Sequence, residues 1–108
     1  RQDRAARTAA LDQLVAAAPV ESLPAGLLGV SGDHLVESGR PEEAVVRFER
    51  LVAAYPRSVY ADMGYTGLGD RALAEGRPAD ALRRYDDAID RAGARTKLRE
   101  ASLGRARA

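Results

Sequence analysis

The feature that most constrains this chain is a repeat, because six landmark residues recur at a constant offset of 37 positions. The first copy has Gly32, Gly39, Pro41, Ala44, Phe48 and Pro56, and the second has Gly69, Gly76, Pro78, Ala81, Tyr85 and Gly93. Copies of one unit form repeat arrays, in which each unit buries its apolar face against its neighbours. Such arrays usually bind other molecules and rarely catalyse reactions.

Composition indicates that the units are helical. Of the 108 residues, 45% are hydrophobic and 31% are charged, whereas aromatic residues make up 5%. Ala, Leu and Arg favour helices, and runs of β-branched residues, which favour strands, are few. A compact fold of this length buries roughly two-thirds of its unfolded surface. We therefore expect an all-α fold with a hydrophobic core.

Apolar periodicity and turn residues predict about six helices. The predicted helices span about Gln2–Ala18, Ala25–Ser38, Pro41–Tyr55, Val59–Glu75 and Pro78 to Gly93, with a sixth from about Ala94 that carries Leu98, Ala101 and Leu103. Ser22 and Ser58 are placed to cap the second and fourth helices. The side chains expected to face inward from these two helices are Leu28, Leu35, Val36, Tyr65, Leu68, Ala72 and Leu73.

The connections predict how the helices pair. Gly39-Arg40-Pro41 and Gly76-Arg77-Pro78 are too short for anything except antiparallel neighbours. Each Gly ends a helix, and each Pro suits the first turn of the next helix. Helix pairs are therefore the repeated unit.

The order of these landmarks resembles the tetratricopeptide repeat, whose unit is two antiparallel helices in about 34 residues. The resemblance implies an α-solenoid, a right-handed superhelix of antiparallel helix pairs. It divides the chain into residues 1–19, the second helix of a preceding repeat, residues 25–56 and 59–93, two complete repeats, and residues 94–108, the first helix of a further, truncated repeat.

The period exceeds that of the family, and the additional residues follow Pro56. The phrase at residues 55–62, Tyr-Pro-Arg-Ser-Val-Tyr-Ala-Asp, is similar to longer repeats of bacterial cell-envelope proteins. This resemblance favours the periplasm or cell envelope over the cytoplasm. Because the first residue is Arg1 and not Met, we also expect the chain to be a fragment of a larger protein, which the resemblance implies is bacterial.

Charge and cysteine content limit the partners. The chain has 17 basic and 16 acidic residues, intermixed, with a formal net charge of +1, so we do not expect binding to nucleic acid. No apolar run approaches the ~20 residues that span a bilayer, so we expect no membrane insertion by this segment. The absence of cysteine excludes disulfides and thiolate metal sites but does not decide the compartment.

Two groups of residues resemble parts of a catalytic, metal-binding or phosphate-binding site. His34 lies near Asp33 and Glu37 in sequence, but one histidine and two carboxylates on one helix make a poor metal or catalytic set. The cluster at 64, 67 and 69 lacks the order, the preceding strand and the Lys-Ser or Lys-Thr pair of a phosphate loop. We therefore predict no catalytic, cofactor-binding or metal-binding residue, and we expect the chain not to be an enzyme.

The glycines inside the predicted helices favour close packing. Each costs about 1 kcal/mol relative to Ala in a helix, so tertiary contacts must offset that cost. A residue without a side chain allows a neighbouring helix to approach closely, and Phe48 or Tyr85 is expected to fill the adjacent space. Tyr65 is expected in the core, and Tyr60 is expected to be freer.

The tetratricopeptide resemblance implies that the first helix of each pair lines the inner groove. Carried over by position, the candidate groove residues are Asp33, Val36, Glu37, Met63, Thr66, Asp70 and Leu73. Their carboxylates predict a groove that prefers apolar or basic extended segments over acidic tails of a protein partner. Two alternatives stay open: a structural spacer in a longer array, and a segment that associates with itself through open repeat ends.

Overall fold

The computed structural model describes residues 2–91, and this part of the chain contains helices and no strand. The α-helices are α1 (Gln2–Ala17), α2 (Ala25–Glu37), α3 (Pro41–Ala54), α4 (Ala61–Ala74) and α5 (78–91), with a short 3₁₀ helix at Val20–Ser22. The all-α prediction is confirmed, and the predicted bounds of the first four helices agree within two residues. The sixth predicted helix and the unit at residues 94–108 lie outside the described residues.

The two Gly-Arg-Pro turns have the same backbone geometry. Gly39 and Gly76 have φ values of 77° and 75°. In the first turn the amide of Arg40 donates to the carbonyl of Leu35 at 2.8 Å, and in the second the amide of Arg77 donates to Ala72 at 2.8 Å. These bonds satisfy carbonyl groups at the helix end, and the positive φ explains why glycine stands at both positions. The 37-residue repeat in sequence is therefore also a repeat in structure.

Aromatic rings occupy the space beside Gly32, Gly67 and Gly69, as the sequence predicted, whereas Met63 lies beside Gly29 and Val52 beside Gly64. A Cβ built on Gly32 of α2 would lie 2.5 Å from Cε1 of Phe48, and one on Gly67 of α4 would overlap the opposite edge of the same ring. In the second unit, a Cβ on Gly69 would lie 2.5 Å from Cε1 of Tyr85. The glycines therefore allow α3 and α5 to seat an aromatic ring directly against the backbone of a first-of-pair helix.

Helix α3 is the centre of the described core, because it packs against both α2 and α4. Ala44 and Phe48 join Leu35 and Leu68 in one buried cluster. A second cluster places Leu51 of α3 against two further residues, Leu23 and Leu28. Antiparallel helix pairs packed in this way are compatible with a helical-repeat fold.

Two predicted core positions were wrong. Val36 is 51% exposed and Leu73 is 56% exposed. The two residues are 37 positions apart, so the same helix face is open in both units. An apolar residue next to a buried one satisfies helical periodicity, but only the position of the neighbouring helix decides which side of the stripe is covered.

The connections are held by backbone-directed hydrogen bonds. Ser58 does not cap α4, because the N-cap residue of that helix is Tyr60 and no side chain caps it; the Ser58 hydroxyl accepts a bond from the Tyr60 amide at 3.1 Å in the preceding turn. Ser22 does not cap α2, because its hydroxyl donates to the Pro19 carbonyl at 2.8 Å and closes the 3₁₀ turn. The Tyr55 hydroxyl donates to the Leu23 carbonyl at 3.1 Å and ties the end of α3 to the α1–α2 connection.

Candidate functional site

The open faces of α2 and α4 border a cleft of about 250 Å³, here called the α2–α4 cleft. Its accessible apolar wall comes from Val36 of α2, Pro41 and Val45 of α3 and Ala74 of α4, with the buried ring of Phe48 behind them. The residues that line it are Asp33, Val36, Glu37, Pro41, Ala44, Val45, Phe48, Gly67, Asp70, Arg71 and Ala74. An apolar wall with a few convergent charged groups is typical of ligand and peptide sites.

Three carboxylates meet at this cleft. Asp33 and Glu37 are one turn apart on α2, and Asp70 on α4 is close enough to act on Asp33 electrostatically. Partial burial raises the pKa of Asp33, and the charges of Glu37 and Asp70 raise it further. The local field is therefore negative and favours a cation.

Asp70 also has a hydrogen-bond donor from the next helix. The Tyr85 hydroxyl donates to Asp70 Oδ1 at 2.5 Å, and this bond is the main reason that the pKa of Tyr85 is raised. Asp33 occupies the same position 37 residues earlier, but its counterpart of Tyr85 is Phe48, which has no hydroxyl. Asp33 therefore lacks the tyrosine donor that Asp70 has.

The structure brings together four of the seven predicted groove residues: Asp33, Val36, Glu37 and Asp70 line the α2–α4 cleft. The other three are Met63, Thr66 and Leu73, and they do not line it. Met63 is partly buried and packs beside Gly29, where an added Cβ would lie 2.9 Å from its sulfur. Thr66 and Leu73 are exposed on α4.

Sequence reasoning missed Arg71 as a member of the cleft. Its guanidinium pairs with Glu42 of α3 at 3.2 Å and with Glu75 at 3.3 Å. Glu75 also pairs with Arg77, so the ion pairs link α3 to the α4–α5 turn. Arg71 is therefore engaged by acids outside the α2–α4 cleft, and among residues 2–91 no ion pair joins a basic side chain to the three cleft carboxylates.

A second, more polar cleft of about 570 Å³ lies between α3, α4 and α5. The ion pairs continue along the start of α5, because Arg77 pairs with Asp80 at 3.0 Å and Asp80 also pairs with Arg83. Opposite charges alternate along this cleft, so they largely satisfy one another. We infer that the charged residues of this cleft help to hold the two units together.

His34 is a structural residue. It is 7% exposed, and its Nε2 lies 2.7 Å from Asp12 Oδ1 on α1. The sequence interpretation considered the neighbours Asp33 and Glu37, whereas the actual partner is 22 positions away. Arg71 stands 37 residues after His34 and likewise reaches an acid on the preceding second-of-pair helix. The position of His34 and Arg71 in the repeat therefore links a first-of-pair helix to the preceding helix pair in both units.

Arg47 is a further charged residue that periodicity did not find. It is buried on α3, and burial lowers the pKa of its guanidinium. One of its terminal nitrogens, Nη1, donates to the Glu43 carbonyl at 3.5 Å, but its Nε has no hydrogen-bond partner among residues 2–91. Apolar periodicity did not indicate that Arg47, a charged residue next to Phe48, would be buried.

Two further observations apply to residues 2–91. No helix there is both long and apolar enough to cross a bilayer. In the same residues, no group of three or more His, Asp or Glu side chains is arranged to hold a metal ion.

The chain matches no protein-family model, no curated protein and no solved structure. The tetratricopeptide resemblance therefore stays a prediction, and functional proposals rest on the geometry of the described residues.

Proposed function

We propose that this chain is a non-catalytic, tetratricopeptide-like module that binds an extended segment of a protein partner in the α2–α4 cleft. The observation that supports it most is the cleft itself, which combines an apolar wall with carboxylates from two successive units. The repeated turns and the repeated glycine–aromatic contact support a repeat module. Repeat modules commonly use such surfaces for recognition.

The chemistry of the cleft favours a segment that carries both apolar and basic side chains. Burial raises the pKa of Asp33, and the charges of Glu37 and Asp70 raise it further, so these carboxylates cost free energy when no cation accompanies them. A Lys or Arg from the partner would relieve the repulsion, while apolar side chains would cover Val36 and Val45. An acidic segment would add to the repulsion.

The proposal places the module within a larger bacterial protein of the cell envelope. Support for this setting is confined to the resemblance of residues 55–62. The binding proposal does not depend on the setting, because it follows from the cleft.

The binding experiment uses two fluorescent peptides of equal length, one with alternating apolar and Lys residues and one with Glu in place of each Lys. We expect the basic peptide to bind more tightly, and we expect its affinity to fall as salt increases. The measurement is fluorescence anisotropy across a concentration series.

Three variants assign the binding to the cleft. The double variant Asp33→Asn with Asp70→Asn should lower the affinity for the basic peptide. Ala74→Leu should also lower this affinity, because Ala74 lines the cleft and a larger side chain would fill it. Asp86→Asn removes the same type of charge from an exposed position on α5 and serves as the control. Equal affinity for both peptides would refute the proposal, as would tighter binding of the acidic peptide than of the basic peptide to the unmodified chain. If no peptide binds, the structural spacer is favoured instead.

A further inference from the structure

The α2–α4 cleft continues along the two helices toward their first residues. Positions separated by three, seven or ten residues lie on about the same face of a helix. The backbone of Tyr60 is helical, with φ −76° and ψ −14°, so this residue extends the face of α4. We call the continuous surface the α2–α4 strip, and it is formed by Gly26, Gly29 and Asp33 on α2 and by Tyr60, Met63 and Asp70 on α4.

The α2–α4 strip is narrow at one end and wide at the other. At the narrow end, a Cβ built on Gly26 would lie 3.3 Å from Cζ of Tyr60, and one on Gly29 would lie 2.9 Å from the sulfur of Met63. At the wide end, Asp33 and the acids near it border the cleft of about 250 Å³. The glycines therefore let α2 and α4 approach at their first residues, and the space between the helices opens at the carboxylates.

The chemistry of the strip changes in the same direction. Tyr60 is 43% exposed although its ring lies against Gly26, so part of an aromatic surface stays open at the narrow end. Carboxylates occupy the wide end, and of these Asp33 lacks the tyrosine donor that Asp70 has. An apolar group therefore suits the narrow end, and a cation suits the wide end next to Asp33.

The distance between the two ends fixes a spacing in the ligand. Seven positions separate Gly26 from Asp33, and ten separate Tyr60 from Asp70, which correspond to about 10 and 15 Å along a helix axis. An extended segment rises ~3.3 Å per residue, and its side chains alternate between two faces. A spacing of four residues spans about 13 Å and keeps both side chains on one face, whereas a spacing of three places them on opposite faces.

We propose that the α2–α4 strip selects an extended segment in which a large apolar residue lies four positions from a Lys or Arg, with the base at Asp33 and the apolar side chain on Tyr60. This inference rests on the proposed function, because it assumes that the cleft binds a basic segment. It adds a defined spacing and a second contact residue, Tyr60, which does not line the cleft.

The test uses fluorescent Gly/Ser peptides of one length and composition, each with a central Lys and two Leu. In the first peptide the Leu residues lie four positions before and after the Lys, so that either chain direction can bind. In the second they lie three positions away. We expect the first peptide to bind about fivefold more tightly, because only its Leu can cover Tyr60 while the Lys pairs with Asp33.

Three variants assign this preference to Tyr60. Tyr60→Ala should remove it, and Tyr60→Phe should retain it because the ring is kept. Leu82→Ala is the control, since Leu82 is 63% exposed on α5 and lies outside the strip. A third peptide with Lys and no Leu should bind equally to Tyr60→Ala and to the unmodified chain, which shows that the variant is folded and its cleft intact.

The outcomes separate this inference from the proposed function. Equal affinity for the two spacings, or a preference that survives Tyr60→Ala, would overturn the inference while the preference for Lys over Glu peptides stands. If peptides with Glu in place of Lys bind as tightly, the proposed function fails as well. A dimer in light scattering that Tyr60→Ala abolishes would also overturn the inference, because a second copy would then occupy the strip.

Discussion

The Phe48 ring occupies the space that a side chain on Gly32 would need, because a Cβ there would lie 2.5 Å from Cε1 of the ring. Gly67 contacts the other edge, so one aromatic residue joins α2, α3 and α4. This arrangement explains how helices that contain several glycines are stable. At Gly32, Gly67 and Gly69 the intrinsic cost of glycine is offset by close packing of an aromatic ring on the backbone.

Gly69→Leu should destabilise the fold more than Ala74→Leu. The side chain at Gly69 would overlap Tyr85, whereas Ala74 is exposed. Overpacking of this kind costs about 1–3 kcal/mol, and the exposed substitution should change stability little. Urea unfolding of both variants measures the difference, and equal midpoints would show that the glycine contact is not required.

Gly39→Ala and Gly76→Ala should each destabilise the fold by a similar amount. No atom lies within 4 Å of a Cβ built at either site, so the cost comes from the positive φ alone. That cost is about 1–2 kcal/mol for a residue with a Cβ. Asn variants at the same two positions should lose less stability than the Ala variants, because asparagine tolerates a positive φ. Thermal unfolding of the variants and of the unmodified chain measures the loss of stability. An alanine variant that is more stable than the unmodified chain would contradict the positive φ at that turn.

Asp12→Ala should loosen α1 while leaving the α3–α4 contact intact. The substitution leaves buried His34 without its partner, at a cost of about 1–2 kcal/mol. Hydrogen exchange of α1 amides should become faster. Gln13→Ala, at an exposed neighbouring position, is the control. Equal exchange rates of the α1 amides in the two variants would show that the His34–Asp12 bond does not stabilise the packing of α1.

Asp33→Asn should raise stability at neutral pH by less than about 1 kcal/mol, because the carboxylate is only partly withdrawn from water. The folded state raises the pKa of Asp33 above its usual 3.8, so it binds a proton more readily than the unfolded chain does. Stability from this group is therefore present at low pH and falls as pH rises through the raised pKa.

Urea unfolding at a series of pH values checks this prediction. The difference between Asp33→Asn and the unmodified chain should grow as the pH rises through that window and then level off. Asp86→Asn, at an exposed position on α5, is the control. A loss of stability at neutral pH in Asp33→Asn would mean that the carboxylate is stabilised by its surroundings.

Local sequence signals predicted much of the fold. Pro41 and Pro78 mark helix starts, Gly39 and Gly76 mark the preceding ends, and both turns formed as their chemistry requires. These signals depend on residues within a few positions of one another. Element type and pairing were therefore accessible without the structure.

The candidate site was predicted only in part. Asp33 and Asp70 were expected in one groove and do line one cleft, whereas Leu73 is exposed outside it and Arg71 is a member that periodicity did not indicate. A residue at the edge of an apolar stripe can face a neighbouring helix or solvent. The rotation of the helix against its neighbours decides between them, and sequence periodicity does not specify that rotation to one residue.

The sequence by itself determined the repeat, the helix pairs and the match between glycines and aromatic rings, because each depends on spacing along the chain. Only the tertiary structure decided that His34 meets Asp12, that Arg47 is buried, and that Val36 is open to solvent. These outcomes depend on contacts between residues distant in sequence or on which face of a helix a neighbour covers. Such contacts are set by the packing of whole helices, which no local pattern encodes.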